Sequence, residues 1–360
     1  MKKYERTLLF NDRIADNEEL SEADRERRNK LRCVALLAAE IGRKQGASLT
    51  YFEYPATCSH GAEPPGELWE LAFGEEAIRA LKRARLFSSL LQKKSRESDM
   101  EKAEDIIRRY RSQAVHCVIA LSNYSTSHTR FRDLLTRICG CRYASMPLFD
   151  VSMLEGAMNV DWKALAKTTR ELAKILNTAD SVRLRTPNGS SLSFSKKGRK
   201  ALSDTGILTK QGAFGNLPAG EVFFAPVEGS ARGRLVLEWG PTRQLSSPVI
   251  LSVRDGYVAD ISGADDFAAY IRAKLSERKD NGNVAELGIG TNRAARRPDN
   301  ILESEKIYGT IHVALGDNSS FGGKVKTPFH QDFVFFKPTV TLVRKDGSSI
   351  GILKSGKFIY

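Results

Sequence analysis

Residues 114–121 read Ala-Val-His-Cys-Val-Ile-Ala-Leu, an apolar, β-branched run interrupted only by His116. A run that is hydrophobic on both alternating sets of side chains suits a strand buried on both faces, as in a parallel sheet. Its surroundings are helical in period. Upstream, residues 75–91 and 99–112 carry apolar side chains at helical spacing; downstream, residues 129–138 do the same. Nearer the N-terminus, residues 20–45 open on Ser21, place Glu22 and Asp24 in a first turn, and space Leu31, Val34, Ala35 and Ala38 on one face. A strand over 47–54, a short strand over 142–146 and a helix over 161–176 complete the pattern. Strands alternating with helices imply βαβ units on a parallel sheet.

Beyond residue 178 the texture changes. Asn188-Gly189, Asp255-Gly256 and Asp346-Gly347 each sit between short alternating runs, as in VILSV-RDG-YVADI. Such dipeptides favour tight hairpin turns. One helix is expected over 264–278, and strands over 234–238, 284–289, 310–315 and 333–343. The fold class is therefore α/β plus α+β. Residues 1–175 form a three-layer α/β domain with a mainly parallel sheet, and residues 176–360 a mostly antiparallel, β-rich domain.

Two domains also fit a length of 360 residues. Lysine and arginine total 56 against 43 aspartate and glutamate, a net charge of +13, which raises the question of nucleic acid. The basic clusters at 82–85, 93–96 and 108–111 are interleaved with acids and lie on helical patterns, which marks solvated faces rather than a phosphate track. No run reaches the roughly 20 apolar residues of a membrane span. The first twenty residues turn acidic before an apolar core develops, so a cytoplasmic protein is expected. Cys33, Cys58, Cys117, Cys139 and Cys141 are expected as free thiols, since Cys139-Gly-Cys141 lacks the histidines of a zinc site.

The chemistry concentrates in the second half. His330 and Asp332 are two apart, so on a strand they share a face. His312 is embedded in an apolar run, and Glu286 and Glu221 are lone carboxylates in otherwise uncharged strands. A buried carboxylate must be paired or hold a cation. Two imidazoles and several carboxylates in one β domain suit one or two divalent metals. Ser125-Thr-Ser-His128-Thr129 follows the 114–121 strand, and a helix-capping role for Ser127 or Thr129 is expected over a nucleophilic one. Gly288-Ile-Gly290 lacks the Lys-Ser/Thr and helix of a phosphate loop.

The segments NLPAGEVFFAP (216–226), AELGIGTN (285–292), EKIYGTIHVALGDNSSFGG (305–323) and HQD (330–332), in that order, resemble the thermophilic-aminopeptidase metallopeptidases of the aminopeptidase T and aminopeptidase S type. SNYSTSHTRFRD and YASMP resemble that family's N-terminal domain more loosely. The chain looks like a short, divergent member, similar also to the dihydroxypyridine ring-opening dioxygenases, which share the fold and use one non-haem Fe(II). The resemblance implies a metal-dependent aminopeptidase-like hydrolase, a homodimer acting on small peptides. Its metal ligands would be Glu221, Glu286, His312, His330 and Asp332, binding one or two ions of Zn, Co, Mn or Mg. Glu286 or Glu305 would shuttle a proton, with Glu305 preferred to Glu303 as the further carboxylate. Tyr308 would bond the tetrahedral oxyanion. The alternative implied is a mononuclear Fe(II) ring-cleaving dioxygenase held by His312, His330 and Asp332.

Overall fold

The computed structural model describes residues 4–57 and 59–360, so Cys58 lies outside it; Cys33, Cys117, Cys139 and Cys141 are free thiols. The chain forms two compact units, Met1–Leu154 with Ile207–Leu217, and Glu155–Gly206 with Pro218–Tyr360. The helix Trp162–Leu176, which the sequence groups with the first half, belongs to the second unit, and the short strand Phe214–Asn216 to the first. No helix among the described residues is long and apolar enough to cross a membrane.

The first unit is built on a five-stranded parallel sheet in the order Ser48–Pro55, Arg6–Arg13, Cys117–Ala120, Arg142–Ser145, Phe214–Asn216. The Arg6–Arg13 strand was not expected, because its continuous apolar stretch is only Leu8-Leu9-Phe10; those three residues are fully buried in the sheet interior. Helix Glu22–Lys44 begins at Ser21, whose side chain accepts from the Asp24 amide, and Thr129 caps Arg130–Arg137 through the Arg132 amide. The helix expected over 75–91 is two, Glu75–Arg83 and Phe87–Leu91. Arg85 between them takes a left-handed φ of 58°, which no helix interior tolerates.

Glu63 adds a second cap. Its carboxylate accepts from the amides of Arg130 and Phe131 at 2.6 and 3.1 Å, and its side chain is almost fully buried. Burial pushes this carboxyl up to about 7, against the pull of those amides and of Lys93. A raised carboxyl means that the folded chain holds the proton more tightly than the unfolded one. The stability it confers is present below about 4.5 and is lost as pH rises toward 7. Glu63→Gln, which keeps the acceptor oxygen, should flatten the fall in the urea midpoint between pH 5 and pH 7.5. An unchanged slope would assign it to other groups.

The second unit packs an eight-stranded sheet against a five-stranded one. The latter runs His330–Phe335, Ile311–Gly316, Val284–Gly290, Glu221–Phe224, Leu202–Asp204, all antiparallel. Val222, Phe224, Leu287, Ile289, Val313, Leu315, Phe333 and Phe335 from this sheet join Val182, Leu184, Leu235 and Leu251 from the larger one in a common core. The strand expected over 333–343 is broken. Lys337 takes φ 50° ahead of Pro338, and the chain passes from His330–Phe335 in the smaller sheet to Thr339–Val343 in the larger. Of the three hairpin dipeptides, only Asp255-Gly256 has both residues at positive φ, 48° and 81°, as a type I′ turn needs.

Candidate metal centre

Side chains alternate across a strand, so the apolar set that fills the core commits the other set to the opposite face. In the five-stranded sheet that opposite set is Glu221 and Phe223; Glu286 and Gly288; His312 and Ala314; His330 and Asp332. Register brings them together. Ala314 pairs with Glu286 on one side and Asp332 on the other, and Gly288 pairs with Phe223 and His312. A methyl group thus separates two carboxylates three strands wide. A Cβ on Gly288 would lie 2.0 Å from His312 Cε1, so that residue is glycine because the imidazole crosses its backbone.

One ligand atom from each of Glu286, His330 and Asp332 lies within 4.8 Å of the others. His330 Nε2 is 3.4 Å from Asp332 Oδ2 and 3.6 Å from Glu286 Oε2. His330 Nδ1 lies 2.7 Å from the Asp317 carbonyl, which only accepts, so Nδ1 carries a proton and Nε2 is the ring nitrogen that faces the carboxylates and would be free to ligate once a metal displaces its proton. Asp332 Oδ1 is buried with no hydrogen-bond partner. These donors fit a divalent cation. His312 Nε2 stands next to this group, 3.3 Å from Glu286 and 3.4 Å from Glu221.

Burial opposes a charge on either imidazole, yet the carboxylates around them prevail. His312, beside Glu286, Glu221 and Glu305, is held up to about 9, and His330, beside Asp332 and Glu286, up to about 10. Burial pushes Glu286 up as well. Asp332 lies below the ordinary carboxylate range because the His330 imidazolium outweighs its own burial. Protons collect where carboxyl groups outnumber cations, and a divalent ion entering the same field would displace them.

Lys306 was not singled out from the sequence. Its ammonium is fully buried, 2.7 Å from Glu221 Oε1 and 2.8 Å from Glu305 Oε2. Burial alone would strip its proton, but those two carboxylates hold it above the ordinary lysine range. The only sequence signal was a lysine beside an acid, in Glu305-Lys306, ahead of an uncharged strand. Glu303 is engaged elsewhere, accepting from the amides of Arg296 and Arg297. Tyr308 packs under Arg293, whose guanidinium lies 3.7 Å from the ring centroid and donates to the phenol oxygen, and against Phe358. Tyr308 has no described contact with the cluster.

The Asp317 carbonyl that orients His330 belongs to a loop held by Asn318. The fully buried Asn318 accepts from the Val325 amide at 2.9 Å and donates to Glu228 at 3.2 Å. Gly322 turns this loop at φ 102°, and a Cβ on Gly323 would strike the Asn318 side chain at 1.9 Å. Asn318→Ala should weaken metal binding by about 10- to 100-fold through the loosened His330. It should also cost about 1–2 kcal/mol of stability. Metal titration alongside thermal melting checks both, and undiminished affinity would uncouple the loop from His330.

Comparison with known proteins bears on what such a cluster serves. The sequence profile of the 2,5-dihydroxypyridine 5,6-dioxygenase family matches residues 151–359. The enzyme of that name from Pseudomonas putida is 26% identical over an alignment of 174 positions that covers 44% of this chain and 49% of the relative. The chain thus matches about half the length of that curated relative. In overall fold it is similar to the structure of the 2,5-dihydroxypyridine dioxygenase from Pseudomonas putida, with a TM-score of 0.65 and 18% identity over 99% of this chain and 92% of that one. Wild-type AmpT from Thermus thermophilus shares the fold with a TM-score of 0.56 and 14% identity over 100% and 95% of the two chains. The hydrolase reading is corrected accordingly. AmpT supports likeness of fold alone, whereas the profile and the curated relative point to a dioxygenase and not to a metallo-aminopeptidase or protease. With its profile match covering more than half of the 360 residues, the chain belongs to the 2,5-dihydroxypyridine 5,6-dioxygenase family.

Proposed function

We propose that this chain is a mononuclear, iron(II)-dependent ring-cleaving dioxygenase acting on a hydroxylated pyridine. The observation that carries the reading is the division of the carboxyl groups. Glu286 and Asp332 lie with His330 in one ligand set, while Glu221 and Glu305 are joined by Lys306, leaving one cation to be supplied from outside. Glu286, His330 and Asp332 would hold it. Bound iron(II) would supply the one-electron exchange that O₂ needs to react with a spin-paired ring. The chain's own residues do the rest. His312 sets the position of Glu286 through its 3.3 Å contact. Glu221 Oε2, buried without a hydrogen-bond partner, is the acceptor we assign to the proton of a ring hydroxyl. Phe321 meets His330 edge-on with centroids 6.0 Å apart and Phe223 at 5.6 Å, an aromatic wall suited to a flat ring. The curated relative's named substrate, 2,5-dihydroxypyridine, is the first compound to try.

Protein loaded anaerobically with iron(II) and mixed with 2,5-dihydroxypyridine in air should consume one O₂ per ring opened, followed by an oxygen electrode and loss of the ring's absorbance. Iron-loaded protein that consumes no O₂ with any hydroxylated pyridine would overturn the reading. The resemblance also suggests a dimer in solution, which light scattering checks directly.

A further inference from the structure

We propose that the Lys306 ammonium is a built-in substitute for a second cation, and that shortening Lys306 converts the Glu221–Glu305–His312 corner into a second divalent-metal site. The proposal rests on the one-metal reading above and concerns what limits the count to one.

Lys306 Nζ lies between two carboxylate oxygens at 2.7 and 2.8 Å, in a side chain with no solvent exposure. Lysine is almost never buried this fully unless paired, and two buried carboxylates sharing a corner are equally costly without a cation. The ammonium therefore supplies a positive charge that the corner requires. What it cannot supply is an open coordination position. It binds by donating hydrogen bonds, so it offers no coordination position to a water or to a donor atom of substrate.

The remaining donors at that corner are those of a metal site. Glu221 and Glu305 offer oxygens, and Glu221 Oε2 has no hydrogen-bond partner. His312 Nε2 lies 3.4 Å from that oxygen and 3.3 Å from Glu286, so one imidazole stands between the two sets of carboxylates. Asp204 is the cross-strand neighbour of Glu221 and adds a further acid to the same edge. Carboxylate oxygens sit about 2.0–2.2 Å from a first-row ion. Each oxygen now held by Nζ would need to move only roughly half an ångström toward an ion at the vacated point.

The test counts metal rather than turnover. Chelator-stripped protein is titrated with Mn(II) or Co(II), probes that need no O₂ chemistry, and bound metal is measured after desalting. Wild type should hold one ion per chain. Lys306→Ala and Lys306→Gln should each hold two, the second binding at least about 100-fold more tightly than any second ion on wild type. Metal-free Lys306 variants should melt below metal-free wild type and recover on adding metal. Adding Glu221→Gln to Lys306→Ala should return the count to one. One ion in both single variants, two in wild type, or variants that no metal restores would each overturn the proposal. Wild type that binds no ion at all would instead remove the one-metal reading beneath it, an outcome visible before any variant is made.

Discussion

Asp332→Asn should yield a folded protein that has lost its metal and at least about 100-fold of its activity. The amide keeps the shape of the side chain but not the charge that a divalent ion draws on. Oδ1 is buried and without a hydrogen-bond partner, so no neighbouring donor makes up for the lost charge there. Folding should be spared for two reasons. The core-facing neighbours Phe333 and Phe335 point the other way from the same strand. The substitution also removes one of several acids crowded on a face where like charges oppose one another. Metal analysis, O₂ uptake and thermal melting of the metal-free forms, all on this one variant, check the claim. Full activity with normal metal content would remove the His330–Asp332 pair from the centre.

Gly288→Ala should be as damaging by an opposite route, through shape rather than charge. The added methyl would meet His312 Cε1 at 2.0 Å and Nε2 at 2.1 Å, well inside any tolerable contact. His312 is fully buried and its strand is paired on both sides, so the ring has little room to retreat. A cost of about 1–3 kcal/mol in stability is expected. Displacing His312 also frees Glu286, so turnover per bound metal should fall further than stability alone explains. The melting temperature and the activity of the metal-loaded variant separate the two effects. A variant that melts and turns over like wild type would mean that the imbalance is absorbed by sheet movement.

Both substitutions act on residues whose placement follows from a period of two. That periodicity is why much of this face was legible without coordinates. His330 and Asp332 had to share a side, and lone acids in apolar strands had to be met by something. Which partners they meet was not legible, because register depends on turns and bulges. The pairing of Glu286 with Ala314 follows a register shift after Val284 that no dipeptide announces. Lys306 escaped notice because a lysine beside a glutamate reads as a surface pair, and only burial reveals it as the neutralising charge. Tyr308 was expected at the site on sequence adjacency, whereas the turn between Glu305 and His312 hands it to Arg293 and Phe358. In the first unit the helices were legible from caps and spacing. The Arg6–Arg13 strand was not, since three apolar residues in a row are too few to signal a strand.

The short strand Phe214–Asn216 bears on how the chain is made. It is the outermost member of the first unit's sheet, paired to Arg142–Ser145, yet it follows by some seventy residues the strand it completes. A ribosome delivering this chain from its N-terminus must release the Trp162–Leu176 helix and the 181–204 strands before the first sheet can close. Until then the Arg142–Ser145 edge stands open, and the first strands of the second unit wait for partners such as Thr339–Val343 that are not yet synthesised. The usual order, in which an N-terminal domain finishes before the next begins, is not open to this topology. The interval in which that strand edge stays unpaired during synthesis therefore spans the whole stretch between Ser145 and Phe214.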